Sequence, residues 1–277
     1  MSTQACTATL NDRALIILGG PDWRDFLQGL VTQEVETLAD GEARFGALLT
    51  PQGRLLYDLF LVGRGEDCLV DCAAEVREAL VRRLTLYRLR AKVTIEASDL
   101  PVRALWGAES APEGWVADPR LPGLGWRGYG AEPPADAAQG EADAYAAHVL
   151  AQGVPGPADW GVEKTYPVEA NFDLLAGIDF KKGCFVGQET TSRMKRRGTV
   201  KTRMAPVVFE GAPPAPGSEL LNGTLRAGEV LSGVDGRAMA AVRLDRLEGA
   251  LTLADGRTAR VEFPAWLASA LTPAETP

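Results

Sequence analysis

The stretch "DFKKGCFVGQETTSRMKRRG", from Asp179 to Gly198, sets a single cysteine, Cys184, between two lysines and a run of helix formers. Gly183 and Gly187 bracket the thiol, where the absence of a Cβ permits a tight turn or the close approach of another group. Gln188 to Arg197 reads as a helix closed by Gly198 at its C-cap. Its last-turn cations Lys195, Arg196 and Arg197 complement the helix dipole. Cys184 then lies just ahead of the positive end of that helix, with Lys181 and Lys182 beside it. Both influences favour the thiolate, the form that attacks, exchanges or binds a soft metal.

Charge is concentrated in the same place. Between Lys181 and Arg203 there are eight cations (Lys181, Lys182, Arg193, Lys195, Arg196, Arg197, Lys201, Arg203) and one acid, Glu189, so the window carries +7 on a chain of net charge −8. A local positive field on an acidic body attracts small anions and acidic partners. Broad nucleic-acid binding calls for a basic domain with aromatic residues among the cations, and this segment has only Phe185.

The 277 residues are 46% hydrophobic and 24% charged, the composition of a globular chain with room for two or three packed units. No apolar run reaches the length of about 18 residues that spans a bilayer, so no membrane partner is expected. The opening "MSTQACTATLNDRALIILGG" has neither a basic n-region nor an Arg-rich amphipathic character, and a cytoplasmic location is expected from it. A monomer is expected. Four cysteines do not make a disulfide framework. Cys6 reads as part of a tail. Cys68 and Cys72 share one strand face about 13 Å apart, too far for a disulfide or a common metal ion. His148 is the only histidine, which excludes sites that need two; no zinc spacing, Walker loop or dinucleotide fingerprint is present.

Along the chain, "RALIILGG" reads as a strand. "PDWRDFLQGLVTQEV" reads as a helix with Phe26, Leu27, Leu30 and Val31 on one face. "RFGALLTPQGRLLYDLFLVG" reads as two strands joined by "TPQG", with "DCLVDC" as a third. "AAEVREALVRRLTLYRL" is an amphipathic helix, followed by a strand at "AKVTIEA". Residues 107–140 are rich in Gly, Pro and Ala with little periodicity, and read as a loop-rich region. After Met204, short alternating runs between turns predict a small antiparallel barrel. The fold class is α+β, with residues 1–203 forming two α+β units and residues 204–277 a C-terminal β-barrel.

The segment "KGCFVGQE", Lys182 to Glu189, resembles the K-G-C-[FY]-x-G-Q-E signature of the YgfZ family. These are folate-binding, iron–sulfur-cluster maintenance proteins related to the aminomethyltransferase (T-protein) of the glycine cleavage system. "FLQGLVTQEV", "GALLTPQGRLLYDLFLV", "LYRLRAKVTIE", "YPVEANFDLLAGIDF" and "SGVDGRAMAAVRLDRL" extend the likeness over most of the chain. The resemblance implies a T-protein-like fold around a folate cavity, tetrahydrofolate (also as its polyglutamate) as ligand, and [4Fe–4S] client enzymes as partners. Cys184 is then the working thiol, set among Lys182, Gly183, Phe185, Gly187, Gln188 and Glu189. Lys181, Arg193, Lys195, Arg196 and Arg197 attract the anionic glutamate tail or an acidic client. Asp58 and Glu169 are candidate acceptors for pterin N–H groups. Each has a plainer reading, Asp58 as a solvent-facing strand residue and Glu169 as a turn cap. No stable metal site is expected within one chain, because the cysteines form no cluster-ligand constellation. Two other functions stay open at this point: a folate-dependent aminomethyl transferase, and a tRNA-interacting factor using the Arg193–Arg203 segment.

Overall fold

Alternating residues build the first sheet. A computed structural model describes residues 4–197 and 200–271. Strand β1 (Cys6–Thr9) precedes β2 (Arg13–Gly19); after the short helix α1 (Trp23–Gln28) come β3 (Ala43–Leu49), β4 (Leu55–Arg64) and β5 (Asp67–Ala73). Helix α2 (Arg77–Arg88) leads into β6 (Thr94–Ser98). Strands β3-β4-β5-β2-β6, in that order, form an antiparallel sheet. Because neighbouring side chains point to opposite faces, Cys68, Val70 and Cys72 pack with Leu80 and Leu84 of α2 and Leu27 of α1. Leu69 turns the other way, against Leu15, Val62 and Tyr145.

The second sheet is completed by the region expected to be loop-rich. Strands β7 (Val102–Trp106), β8 (Trp115–Ala117), β9 (Trp126–Tyr129) and β10 (Ala138–Gln139) join β1 in the order β10-β1-β7-β9-β8. Residues 107–140 therefore supply three strands, each too short to show a period of two. Cys6, read as tail, is the first residue of β1 and pairs with Trp106 and Ala138. Helix α3 (Ala142–Ala151) sets Tyr145 into the core between the two sheets.

Helix α4 (Pro157–Trp160) and a run of turns lead to α5 (Gln188–Arg197), which has the predicted bounds. The proposed cap Gly198 lies outside the described residues, as does the side chain of Arg197. The barrel follows as β11 (Thr202–Val208), β12 (Glu219–Asn222), β13 (Leu225–Val234), β14 (Arg237–Arg243), β15 (Leu251–Leu253) and β16 (Thr258–Val261). It closes in the order β11-β14-β13-β12-β15-β16 with every pair antiparallel. Helix α6 (Ala265–Leu271) seats Leu267 in the barrel core. The fold is α+β with a closed antiparallel barrel at its C-terminal side.

One helix is shorter than its pattern. Apolar spacing continues from Trp23 to Val35, yet α1 stops at Gln28 with Gly29 after it. Val31 then bridges Leu48 as extended chain. Carbonyl groups released by this stop become part of the functional site.

Candidate functional site

The thiol loop is anchored before and after Cys184. Asp179 N–H donates to Thr32 O at 2.9 Å, tying the loop to the segment after α1. The Asp179 Oδ1 accepts from the N–H groups of Lys181 (2.7 Å) and Lys182 (3.2 Å), a turn typical of Asp. Lys182 then turns inward. Its Nζ donates to Gln28 O (2.8 Å), Val31 O (2.7 Å) and Gln33 O (2.7 Å). Three ammonium protons meet three carbonyl oxygens that the early stop of α1 leaves without helical partners. Burial pushes the Lys182 ammonium down to about 8, while Glu34, Asp179 and Glu36 pull against that shift. This lysine is a tether. Its charge is committed to the fold rather than to the thiol, which corrects its placement beside Cys184 as an activating cation.

After Cys184 the chain is pinned again. Phe185 is buried with Leu49, Phe172 and Met204. Gly187 has φ +82°, and a Cβ there would lie 2.7 Å from Thr50 O and 3.0 Å from Gly53 Cα. The glycine is therefore required twice, by its conformation and by the contact with the turn of "TPQG". Thr191 Oγ1 donates to Gly187 O at 3.2 Å, and Gln188 Nε2 to Gly183 O at 3.4 Å. Between these anchors Gly183 and Cys184 are exposed, as is Glu189. Cys68 and Cys72 are buried, and burial pushes both thiols up to about 12. Among the described residues, no group of three or more Cys, His, Asp or Glu side chains is placed to hold a metal ion. Among the four cysteines, Cys184 alone is exposed.

The cationic window divides. Lys181, Arg193, Lys195, Arg196 and Lys201 are exposed. Lys195 Nζ lies 3.7 Å from the centre of the Phe180 ring, folding α5 back over the start of the loop. Arg203 is structural instead. It is buried, with Nη1 and Nη2 at 2.6 and 2.9 Å from the two Asp173 carboxylate oxygens and Nη1 at 2.7 Å from Val168 O.

Of the two pterin-facing candidates, Glu169 closes a turn: its Oε2 accepts from Tyr166 N–H at 3.0 Å. Asp58 is buried, not solvent-facing, and its Oδ2 accepts from Arg13 Nη1 at 2.8 Å. Neither is brought beside Cys184 by a contact. Asp58 ends a chain of alternating charge that the sequence reading missed. Arg13 also bonds Asp71 (2.7 Å), Asp71 bonds Arg127 (2.7 Å), Arg127 bonds Asp118 (3.1 Å), and Asp118 bonds Arg120 (2.7 Å). Burial alone would raise Asp118, but the Arg120 and Arg127 guanidinium groups hold its carboxyl well below the usual range. The signal was present: Asp58 and Asp71 sit inside the apolar runs "LLYDLFLVG" and "DCLVDC", where an unpaired charge would be costly. Cavities of about 480 and 570 Å³ lie against Phe209 and Arg257 of the barrel side and beside Gln4 and Gly107; neither contains Cys184, Asp58 or Glu169.

Comparison with known proteins assigns the family. The Homo sapiens protein named iron-sulfur cluster assembly factor IBA57, mitochondrial, is 31% identical over 92% of this chain and 82% of its own length. The chain belongs to the IBA57 family of iron–sulfur cluster assembly factors. The Mus musculus protein of the same name is 33% identical over 75% of this chain and 67% of its own. Residues 201–269 of this IBA57-family chain match the CAF17 C-terminal beta-barrel domain. Its fold is similar to that of glycine cleavage system aminomethyltransferase T from Bartonella henselae, with a TM-score of 0.76 at 16% identity over 95% of this chain and 86% of that one. The T-protein-like fold expected from the sequence is thus present. The cytoplasmic expectation is overturned, because both IBA57 relatives are named as mitochondrial. That expectation rested on the composition of one N-terminal stretch, whereas an organelle address need not be written in the residues that build a fold.

Proposed function

We propose that this chain works in iron–sulfur cluster assembly by presenting Cys184 as one thiolate to a cluster that a second protein also holds. The observation that carries the reading is the construction of the loop. Lys182 and Phe185 are buried anchors on either side of an exposed thiol. A cluster that needs four protein ligands must take the others from elsewhere. The exposed cations Lys181, Arg193, Lys195 and Arg196 suit an acidic face on the second protein, here taken to be a [4Fe–4S] client enzyme or a carrier on its way to one.

The test is rescue of a [4Fe–4S]-dependent enzyme in cells lacking their own assembly factor of this family. The chain and its Cys184→Ala form are supplied at matched abundance. Rescue by the native chain alone is expected. Rescue by both would remove the thiol from the mechanism. In parallel, a thiol probe on the folded protein should label Cys184 and leave Cys68 and Cys72 unlabelled, since both are buried and protonated at neutral pH.

Binding of tetrahydrofolate is a finer part of the same proposal and rests on the likeness of the Lys182–Glu189 segment. Calorimetric titration of the chain with tetrahydrofolate, and of its Asp58→Asn form, tests it. No binding by the native chain would leave the assembly role standing without the cofactor.

A further inference from the structure

The chain has a second cationic segment, far in sequence from the thiol loop. From Arg82 to Lys92 the run "RRLTLYRLRAK" holds five cations and no acid, on a chain of net charge −8. It covers the end of α2 and the turn into β6. Leu80 and Leu84 hold the helix to the core. Leu86 and Leu89 do the opposite: they are 76% and 88% exposed, more than any other large apolar side chain among the described residues. Arg82 and Arg83 lie one helical turn before Leu86, on the same face, Arg82 in an exposed pair with Glu78 at 3.4 Å that a headgroup phosphate would replace. Arg90 and Lys92, both exposed, follow Leu89.

The backbone at Leu89 is an independent oddity. Its φ and ψ are +44° and −106°, a left-handed conformation that glycine adopts freely and a bulky residue rarely does. The turn around it is well bonded: Ala91 N–H donates to Arg88 O at 2.8 Å, and Lys92 N–H donates to Asp22 Oδ2 at 2.7 Å. A leucine here is unfavourable in backbone and in exposure at once, and at 88% exposure little of the protein packs on it in return.

We propose that this turn attaches the protein to an anionic phospholipid surface. Leu86 and Leu89 enter the acyl boundary, and Arg82, Arg83, Arg90 and Lys92 meet the headgroup phosphates. Two leucines standing this far out of the surface form a projection rather than a groove. A fluid bilayer takes such a projection without shape complementarity, whereas an acidic protein would need a matching pocket. No helix among the described residues is long and apolar enough to cross a membrane, so the contact is peripheral. It departs from the expectation of no membrane partner, because a search for long apolar runs does not register a single turn.

The experiment is flotation of the full chain with phosphatidylcholine vesicles, with and without phosphatidylserine. Binding is expected only to the anionic vesicles, and it should fall as salt rises and screens the headgroup charge. Leu86→Ser together with Leu89→Ser should lower binding by about tenfold or more, and Arg82→Gln by about fivefold, with unchanged thermal melting showing that both variants are folded. Absence of flotation, equal flotation with neutral vesicles, or full flotation of the double serine variant would overturn the proposal. Capture on immobilised polyglutamate without any vesicle binding would also overturn it and give the surface to an acidic protein.

Discussion

Lys182 and Cys184 stand two residues apart and face opposite demands. The lysine amine must be desolvated to reach Gln28 O, Val31 O and Gln33 O, and the thiol must stay in solvent to meet a cluster. Removing the amine while keeping the apolar stem isolates the first role. Lys182→Met should cost about 2–3 kcal/mol in urea titration, since it orphans three buried or half-buried acceptors at once. Cys184 in that variant should still be labelled by a thiol probe, at an equal or faster rate, because its anchor is loosened and not its exposure. A variant of native stability would mean that the three carbonyl groups find water as readily as the ammonium. A lysine next to a cysteine invites an electrostatic reading, and the spacing is fully visible in the sequence. The direction of the side chain is not, because its acceptors lie about 150 residues earlier.

Elements were legible where their patterns were long. Helix α5 has the bounds read from "QETTSRMKRR", and β3, β4 and β5 follow the strands read on either side of "TPQG" and at "DCLVDC". Some short elements were not: β8, β9, β10 and β12 run from two to four residues and carry no periodicity to read. Helix α1 shows the converse, a helical pattern that tertiary contacts cut off at Gln28. At the end of α2 the strained Leu89 gives a prediction of its own. Leu89→Gly should raise stability by about 1 kcal/mol, the lower end of what a residue stores in a sparsely populated conformation, as measured by the urea midpoint. The same variant should bind anionic vesicles less well. A loss of stability would mean that Leu89 contributes packing that its exposure conceals.

Across the whole molecule, the charge chain Asp58–Arg13–Asp71–Arg127–Asp118–Arg120 links β2, β4 and β5 of one sheet to β9 and the β8–β9 connection of the other. Phe60 lies among its cations, with the Arg127 guanidinium 3.6 Å from the ring centre and that of Arg120 at 4.9 Å. Breaking such a chain leaves a buried charge uncompensated. Asp118→Asn should therefore cost about 3–5 kcal/mol at neutral pH, while Asp245→Asn, in an exposed pair with Arg243, should leave stability unchanged. The sign with pH follows from a folded-state carboxyl held below its unfolded value of about 3.9. Its stabilisation is complete above that value and is lost as pH falls through the folded one, so the native chain and Asp118→Asn should converge in acid. Urea titrations from pH 7 down to below pH 3 would show the gap narrowing progressively under about pH 4; a constant gap over that range would mean that ionisation of Asp118 is immaterial.

By itself the sequence determined the first sheet, the barrel and the thiol. Strands with a long period of two, a helix with good formers, a barrel built of short alternating runs and a cysteine set between glycines are all local patterns, and local patterns survive in one dimension. Only the tertiary structure decided what each charge does. It sent Lys182 into a cage of carbonyl groups, paired Asp58 with Arg13, bound Arg203 to Asp173, and left Arg90 and Lys92 in solvent beside two bare leucines. The reason is physical: the energy of a charge depends on its solvation and on what stands opposite it, and both are set by residues that only folding brings near.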